Sequence, residues 1–129
     1  MTLKLMDSEA DGVSVVSLDG RIVLGNESNS LREKLKGMLV AGRKKIVLNM
    51  AQIKYIDSAG LGALVAAHVS AKSHDASLRL CNLGEKFHEV LQLTRLITVF
   101  DVYDSEATAV TSFQKAPGGE SPAGNIMAA

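Results

Sequence analysis

The chain is 129 residues long and has few of the residues on which several classes of protein depend. It has no tryptophan, and its aromatic residues are two tyrosines and three phenylalanines. Surfaces that bind nucleic acid usually combine a basic stripe with aromatic side chains, and the sequence contains no such stripe. Lysine plus arginine equals aspartate plus glutamate at 14 each, so the chain has no net field that attracts anionic partners. We therefore expect no direct nucleic-acid partner.

Cysteine and long apolar segments are also scarce. The single cysteine, Cys81, has no partner for an internal disulfide and lies in a strand-like run, which favours a half-buried structural thiol. The longest apolar run, residues 61–69, is far shorter than the ~20 residues that cross a bilayer. The first residues lack the charged-then-apolar pattern of a signal peptide. We expect a cytoplasmic protein that does not insert into a membrane.

Short apolar runs alternate with segments of helical periodicity along most of the chain. The runs predict five strands, at residues 3–6, 13–18, 46–50, 78–83 and 98–103. A hairpin turn at Asp11-Gly12 is expected to join the first two. Helical spacing predicts four helices. Asn26 or Ser28 is expected to cap the first, and the others are expected to begin at Ser58, at Gly84, and at Asp104 or Ser105. The fold class is therefore α/β, a short mixed sheet of about five strands packed with about four helices.

Particular residues mark the ends and inner faces of these helices. Gly42 is placed to end the first helix. The inward residues are expected to be Leu31, Leu35, Met38 and Leu39 in the first helix, Leu61, Leu64, Val65 and His68 in the second, Phe87, Val90 and Leu91 in the third, and Ala107, Val110 and Phe113 in the fourth.

The composition changes near residue 113. Residues 114–129 contain both prolines, three glycines and little that can pack, so we expect a disordered tail after a single domain over residues 1–113.

The most informative segment is residues 55–62, where an apolar run enters a polar turn and an alanine-rich amphipathic segment follows. This pattern predicts a strand-to-helix junction with Ser58 at the helix entrance. Gly60 and Gly62 are unfavourable in a helix by roughly 1 kcal/mol each, but they leave its first turn open to a partner. Leu61 between them fits either an outward contact or a place in the core. Sites in α/β sheets gather at the carboxyl ends of strands, where we also place Asn49.

Simpler and rival explanations of Ser58 stay open on the residues alone. In the simplest explanation, Ser58 or Asp57 caps the helix N-terminus and has no further role; such a cap is worth ~1 kcal/mol. A serine hydrolase needs an activated nucleophile, but the glycine two residues before the serine is missing, and His68 lies about two and a half turns along the helix. No metal site is indicated, because standard ligand spacing is lacking among Cys81, His74 and His88.

The segments Val47-Leu48-Asn49-Met50 and Ile56-Asp57-Ser58-Ala59-Gly60-Leu61-Gly62, with Leu18-Asp19-Gly20-Arg21-Ile22, resemble the STAS family, the sulphate transporter and anti-sigma factor antagonist domains. The free-standing bacterial anti-sigma factor antagonists are the most similar members. The resemblance covers residues 3 to about 113. It implies that Ser58 is phosphorylated by an anti-sigma factor that is itself a serine/threonine kinase, and that the unphosphorylated form binds this kinase and releases a sigma factor.

The resemblance also implies the surroundings of the switch. The residues expected to contact the partner are Asp57, Ala59, Gly60, Leu61, Gly62, Asn49, Gly25 and Asn26. ATP and magnesium belong to the kinase, so this chain needs no cofactor and no catalytic residue; a phosphatase resets the switch, and a monomer is expected. Val23 stands where the family often has an aspartate, which removes an acidic contribution beside the site. The alternatives are a scaffold in a larger signalling assembly and an adaptor subunit of a lipid transporter.

Overall fold

A computed structural model describes residues 3–114, which form one five-stranded sheet with four α-helices. The elements follow in the order β1 Leu3–Ala10, β2 Val13–Ile22, α1 Asn26–Val40, β3 Lys45–Ile56, α2 Ser58–Ser73, β4 Ser77–Cys81, α3 Glu85–Leu93, β5 Asp101–Tyr103 and α4 Glu106–Ser112. The strand order is β1-β2-β3-β4-β5, with β1 antiparallel to β2 and the remaining pairs parallel. The predicted fold class and the hairpin are confirmed.

The helices cover the two faces of the sheet unequally. The larger apolar cluster joins one face to α1, α2 and α3, and the smaller one joins the other face to α4. Strand β3 shows why both clusters form: Ile46 and Leu48 belong to the larger cluster and Val47 to the smaller. Successive side chains of a strand point to opposite faces, so a continuous apolar run is buried on both sides.

Several predicted boundaries were wrong. Strand β3 has 12 residues rather than five and continues to Ile56. Strand β5 has three residues, because a short 3₁₀ turn, Leu96–Thr98, occupies the start of the predicted strand. Strand β4 ends at Cys81. Neither Asn26 nor Ser28 caps α1: the N-cap is Gly25, and Ser28 lies buried inside the helix. Gly25 has φ of +106°, a conformation that side chains rarely adopt.

The predicted inner faces of the helices are mostly confirmed. In α4 the buried residues are Ala109 and Val110, whereas Ala107 is exposed. Helix α1 ends as predicted, with the Gly42 amide donating to the Leu39 carbonyl at 3.0 Å. Cys81 is fully buried rather than half-buried as predicted, and burial raises the pKa of its thiol to about 12, so it is a structural residue.

Two further features bear on the expectations above. Within residues 3–114 no helix is long and apolar enough to cross a membrane. The predicted tail, apart from Gln114, falls outside the described residues. Gln114 itself donates a hydrogen bond from Nε2 to the carbonyl of Asp11 at 2.9 Å.

Candidate functional site

Ser58 is the first residue of α2, where strand β3 ends and the helix begins. Its side chain is exposed, as the sequence predicts. Among residues 3–114 no side chain or carbonyl forms a hydrogen bond with the Ser58 hydroxyl. The hydroxyl is therefore presented to the surroundings rather than used to cap the helix.

The residue that caps α2 is Asp57, and its carboxylate joins two parts of the chain. Oδ1 accepts a hydrogen bond from the Gly60 amide at 2.8 Å, and Oδ2 accepts one from the Leu24 amide at 3.0 Å. The first bond is the standard N-cap interaction. The second holds the loop between β2 and α1 against the start of α2, so the segment around Leu24 and the Ser58 turn form one surface.

These bonds change the acid–base character of Asp57. The hydrogen bonds from the Gly60 and Leu24 amides hold the pKa of the carboxyl below its ordinary value of 3.8, because they stabilise the charged form. Each carboxylate oxygen accepts a bond from the backbone, and among residues 3–114 Asp57 forms no hydrogen bond with the Ser58 hydroxyl. In the structure, Asp57 therefore fixes the loop.

The packing of α2 against β2 requires glycine at position 60, which the sequence alone did not reveal. A Cβ atom at this position would lie 2.0 Å from the Ile22 carbonyl oxygen, far inside any normal contact. The same carbonyl accepts a hydrogen bond from the Asp57 amide at 3.2 Å. Gly60 therefore lets α2 begin directly against the end of β2. Gly62 differs, since it is exposed and a Cβ there would meet nothing within 4 Å.

The other residues expected to contact a partner fall into two groups. Gly25 and Asn26 are exposed at the start of α1, beside the loop that Asp57 holds. Ala59 and Leu61 are half-buried, and Leu61 packs against the larger apolar cluster, so a core role applies to it.

Asn49 does not belong to this surface. It lies inside β3 rather than at the carboxyl end of a strand, so that placement was wrong. Its Nδ2 donates to Glu106 Oε1 of α4 at 2.9 Å, and its Oδ1 accepts from the Ala51 amide at 2.9 Å. These bonds tie α4 to the sheet, and a role for Asn49 in partner binding stays a prediction.

The sequence did not indicate two exposed apolar residues of this site. Leu24 lies near the Ser58 turn in space, and Tyr55 lies near it in the chain. Leu24 is 76% exposed in the loop that Asp57 holds, and Tyr55 is 58% exposed near the end of β3. In the sequence Leu24 follows two apolar residues and precedes Gly25, a local pattern that gives no sign of a contact with the Ser58 turn. The Leu24–Asp57 bond, which spans 33 residues of sequence, is what brings it to the site.

The arrangement does not favour nucleophilic chemistry. An activated serine needs a base within hydrogen-bond reach. His68, the histidine considered for this role, is half-buried in α2 with its ring edge against Phe100, at 5.5 Å between ring centroids. Burial lowers its pKa. Within residues 3–114 there is no group of three or more His, Cys, Asp or Glu residues arranged to hold a metal ion.

The site can instead accept a change of charge. A phosphate on Ser58 would add about 1.5 to 2 negative charges at neutral pH at the N-terminus of a 16-residue helix, where the helix dipole favours an anion. The Gly60 amide is already used by Asp57, so the phosphate would project outward beside an existing carboxylate. A docked partner would meet this added charge directly.

The hydrogen bonds of Asp57 make the stability of the fold depend on pH in the acidic range. A folded pKa below 3.8 means that the stabilisation is present above this pH and is lost as pH falls through the folded pKa. The side chain of Asp57→Asn does not titrate, so we expect the variant to lose less stability than the wild type between about pH 5 and pH 2. Urea denaturation across this range measures the difference. Asp104→Asn, at an exposed carboxylate, is the control and should follow the wild type; a wild-type slope in Asp57→Asn would contradict the assignment.

Known proteins with similar sequences and structures place this chain in a family. The family model described as STAS domain matches residues 4–109. BtrV of Bordetella bronchiseptica (strain ATCC BAA-588 / NCTC 13252 / RB50), which carries a provisional name as an anti-sigma factor antagonist, is 26% identical over 114 residues, covering 88% of this chain and 97% of BtrV.

Solved structures show the same fold. A Thermotoga maritima protein, also named provisionally as an anti-sigma factor antagonist, matches with a TM-score of 0.80 at 23% identity over 86% of this chain and 95% of its own. The anti-sigma factor antagonist SpoIIAA in its unphosphorylated form matches with a TM-score of 0.68 at 17% identity over 88% and 99% of the two chains. The phosphorylated form of SpoIIAA, from Bacillus, matches with a TM-score of 0.65 at 17% identity over 84% and 97%.

Proposed function

Because the chain belongs to the STAS domain family, we propose that it is an anti-sigma factor antagonist whose docking is switched by phosphorylation of Ser58. In its unphosphorylated form it binds an anti-sigma factor and thereby releases a sigma factor. The anti-sigma factor is a serine/threonine kinase that supplies ATP and magnesium, and a phosphatase restores the free hydroxyl. The protein acts by binding, as a cytoplasmic monomer.

The single observation that carries this proposal is the exposed Ser58 hydroxyl at the start of α2, on a surface fixed by Asp57. A kinase can reach such a hydroxyl without unfolding the domain. The names of BtrV and SpoIIAA, and the existence of SpoIIAA in both phosphorylation states, support the same function for a chain of this fold.

The surface around Ser58 has the features of a small docking site. Gly62 and Asn26 are exposed and add little bulk, and Leu24 offers an apolar side chain that is 76% exposed. Interfaces commonly bury an apolar anchor within a less apolar rim. We propose that Leu24 is this anchor and that Ser58 lies inside the same contact.

The proposal is tested by phosphorylation of the purified protein. We expect a serine kinase of the anti-sigma factor class, taken from the same genome, to transfer one phosphate from ATP to Ser58, which intact mass and peptide mapping would locate. Ser58→Ala should accept no phosphate under the same conditions. Stoichiometric phosphorylation of Ser58→Ala, or mapping of the phosphate to another residue of the wild type, would rule out Ser58 as the switch.

A further inference from the structure

A groove with a cavity of about 320 Å³ lies between helices α1 and α2. Its floor is apolar and consists of the buried side chains Leu35, Leu39 and Ala67. Its rim carries the exposed residues Arg32 and Lys36 of α1, four residues apart on one helical face, and His74 just after α2. The groove thus combines an apolar base with two cations, Arg32 and Lys36, on its rim.

The charge of this groove is one-sided, although the whole chain has no net charge. No aspartate or glutamate lines it, and α2 contains none along its length. Within residues 3–114 the one ion pair joins Lys34 of α1 to Asp7 of β1, so neither Arg32 nor Lys36 is neutralised by an ion pair there. A positive rim over an apolar floor complements a segment that carries carboxylates around an apolar side chain.

Other occupants fit this surface less well. A second copy of the chain would bring the same cations against each other, which is unfavourable. The sequence after residue 114 contains a single carboxylate side chain, Glu120, and it follows α4, which packs on the opposite face of the sheet. The occupant that matches the charge is an acidic segment of another protein.

The groove is close enough to Ser58 to belong to the same interface. Ala66, which lines the groove, is eight residues after Ser58 on the same helix. At ~1.5 Å per residue this is about 12 Å. An interface of standard size covers about 800 Å² on each partner and easily spans that distance.

We propose that the groove between α1 and α2 is a second docking site for the anti-sigma factor. An acidic segment of that partner places an apolar side chain on the floor and carboxylates against Arg32 and Lys36. This inference rests on the proposed function, because it adds a contact to the docking that Ser58 switches. The groove supplies affinity and selectivity, and Ser58 supplies the on–off control.

The test compares two double variants of the full chain with equal changes in charge. Arg32→Glu/Lys36→Glu reverses the rim of the groove, and Lys4→Glu/Lys72→Glu reverses two exposed lysines on β1 and on α2 outside it. The probe is the anti-sigma factor kinase that phosphorylates Ser58, titrated by calorimetry at low and high salt. We expect the groove variant to bind at least about tenfold more weakly, with a flatter salt dependence, and the control to bind within about threefold of the wild type.

The outcomes separate this inference from the proposed function. If the groove variant binds as tightly as the wild type while Ser58→Glu does not bind, the groove is not a docking site and the switch at Ser58 stands. If both double variants weaken binding equally, the effect is general electrostatics and the groove proposal is wrong. If no anti-sigma factor binds the wild type, the proposed function fails and the groove proposal fails with it.

If the double variant folds poorly, a single substitution on α2, which forms the other side of the groove, tests the same proposal. Ala66→Glu puts a carboxylate on α2 at the edge of the groove, where it would repel an acidic segment. We expect it to weaken binding at least about tenfold and Ala66→Lys to preserve binding. Equal affinities of the two Ala66 variants would overturn the proposal.

Discussion

Gly60→Ala is expected to destabilise the domain by about 3 kcal/mol or more, a large share of the stability of a typical domain. The new Cβ would lie 2.0 Å from the Ile22 carbonyl oxygen, and a backbone atom cannot move aside as a flexible side chain can. The start of α2 would have to shift away from β2, which also weakens the bond from the Asp57 amide to the Ile22 carbonyl. Urea denaturation followed by circular dichroism measures the loss.

Gly62→Ala is the matched control for this prediction. It makes the same chemical change two residues later in the same helix, at an exposed position with nothing within 4 Å of the new Cβ. Alanine is favoured over glycine in a helix interior, so we expect stability to be unchanged or to rise by up to about 1 kcal/mol. Similar losses in the two variants would show that the close approach of α2 to β2 is not what selects glycine at position 60.

Ser58→Glu is expected to keep the fold and to weaken binding to the anti-sigma factor roughly a hundredfold, about 3 kcal/mol. The added carboxylate would stand next to Asp57 and would have to be desolvated at the interface. The domain itself tolerates it, since the site is exposed and lies at a helix N-terminus. Ser58→Ala should bind within about threefold of the wild type, because it adds no charge.

Titration calorimetry and thermal melting together check this expectation. Ser8→Glu serves as the control, since it adds the same charge at an exposed serine of β1. It should leave binding unchanged. Retention of full affinity by Ser58→Glu, or its loss in Ser8→Glu as well, would contradict a switch located at Ser58.

Much of the fold followed from local patterns in the sequence. The hairpin at Asp11-Gly12 and the apolar run at residues 46–50 each determine their structure within a few residues, and both were predicted. The continuation of β3 to Ile56 was not, because residues 51–56 are largely exposed and carry no clear alternation. There the pairing with β2, which includes two register shifts, extends the strand.

The sequence likewise predicted those parts of the site that depend on local segments, and not those that depend on distant contacts. The exposure of Ser58 and the capping by Asp57 follow from the local segment. The Leu24–Asp57 bond and the contact between Gly60 and Ile22 join residues more than 30 positions apart, so no local pattern reveals them. Asn49 was predicted at the carboxyl end of a strand because the predicted strand ended at residue 50, whereas β3 continues to Ile56. Its bond to Glu106 depends on the position of α4, which no local pattern gives.

The most direct test of the switch compares unphosphorylated protein with protein phosphorylated stoichiometrically at Ser58. Both forms are titrated with the anti-sigma factor and melted under the same conditions. We expect Kd to rise at least about a hundredfold on phosphorylation, while Tm shifts by no more than about 4 °C, which corresponds to about 1 kcal/mol. Equal affinity of the two forms, or loss of binding explained by unfolding of the phosphorylated form, would contradict the account.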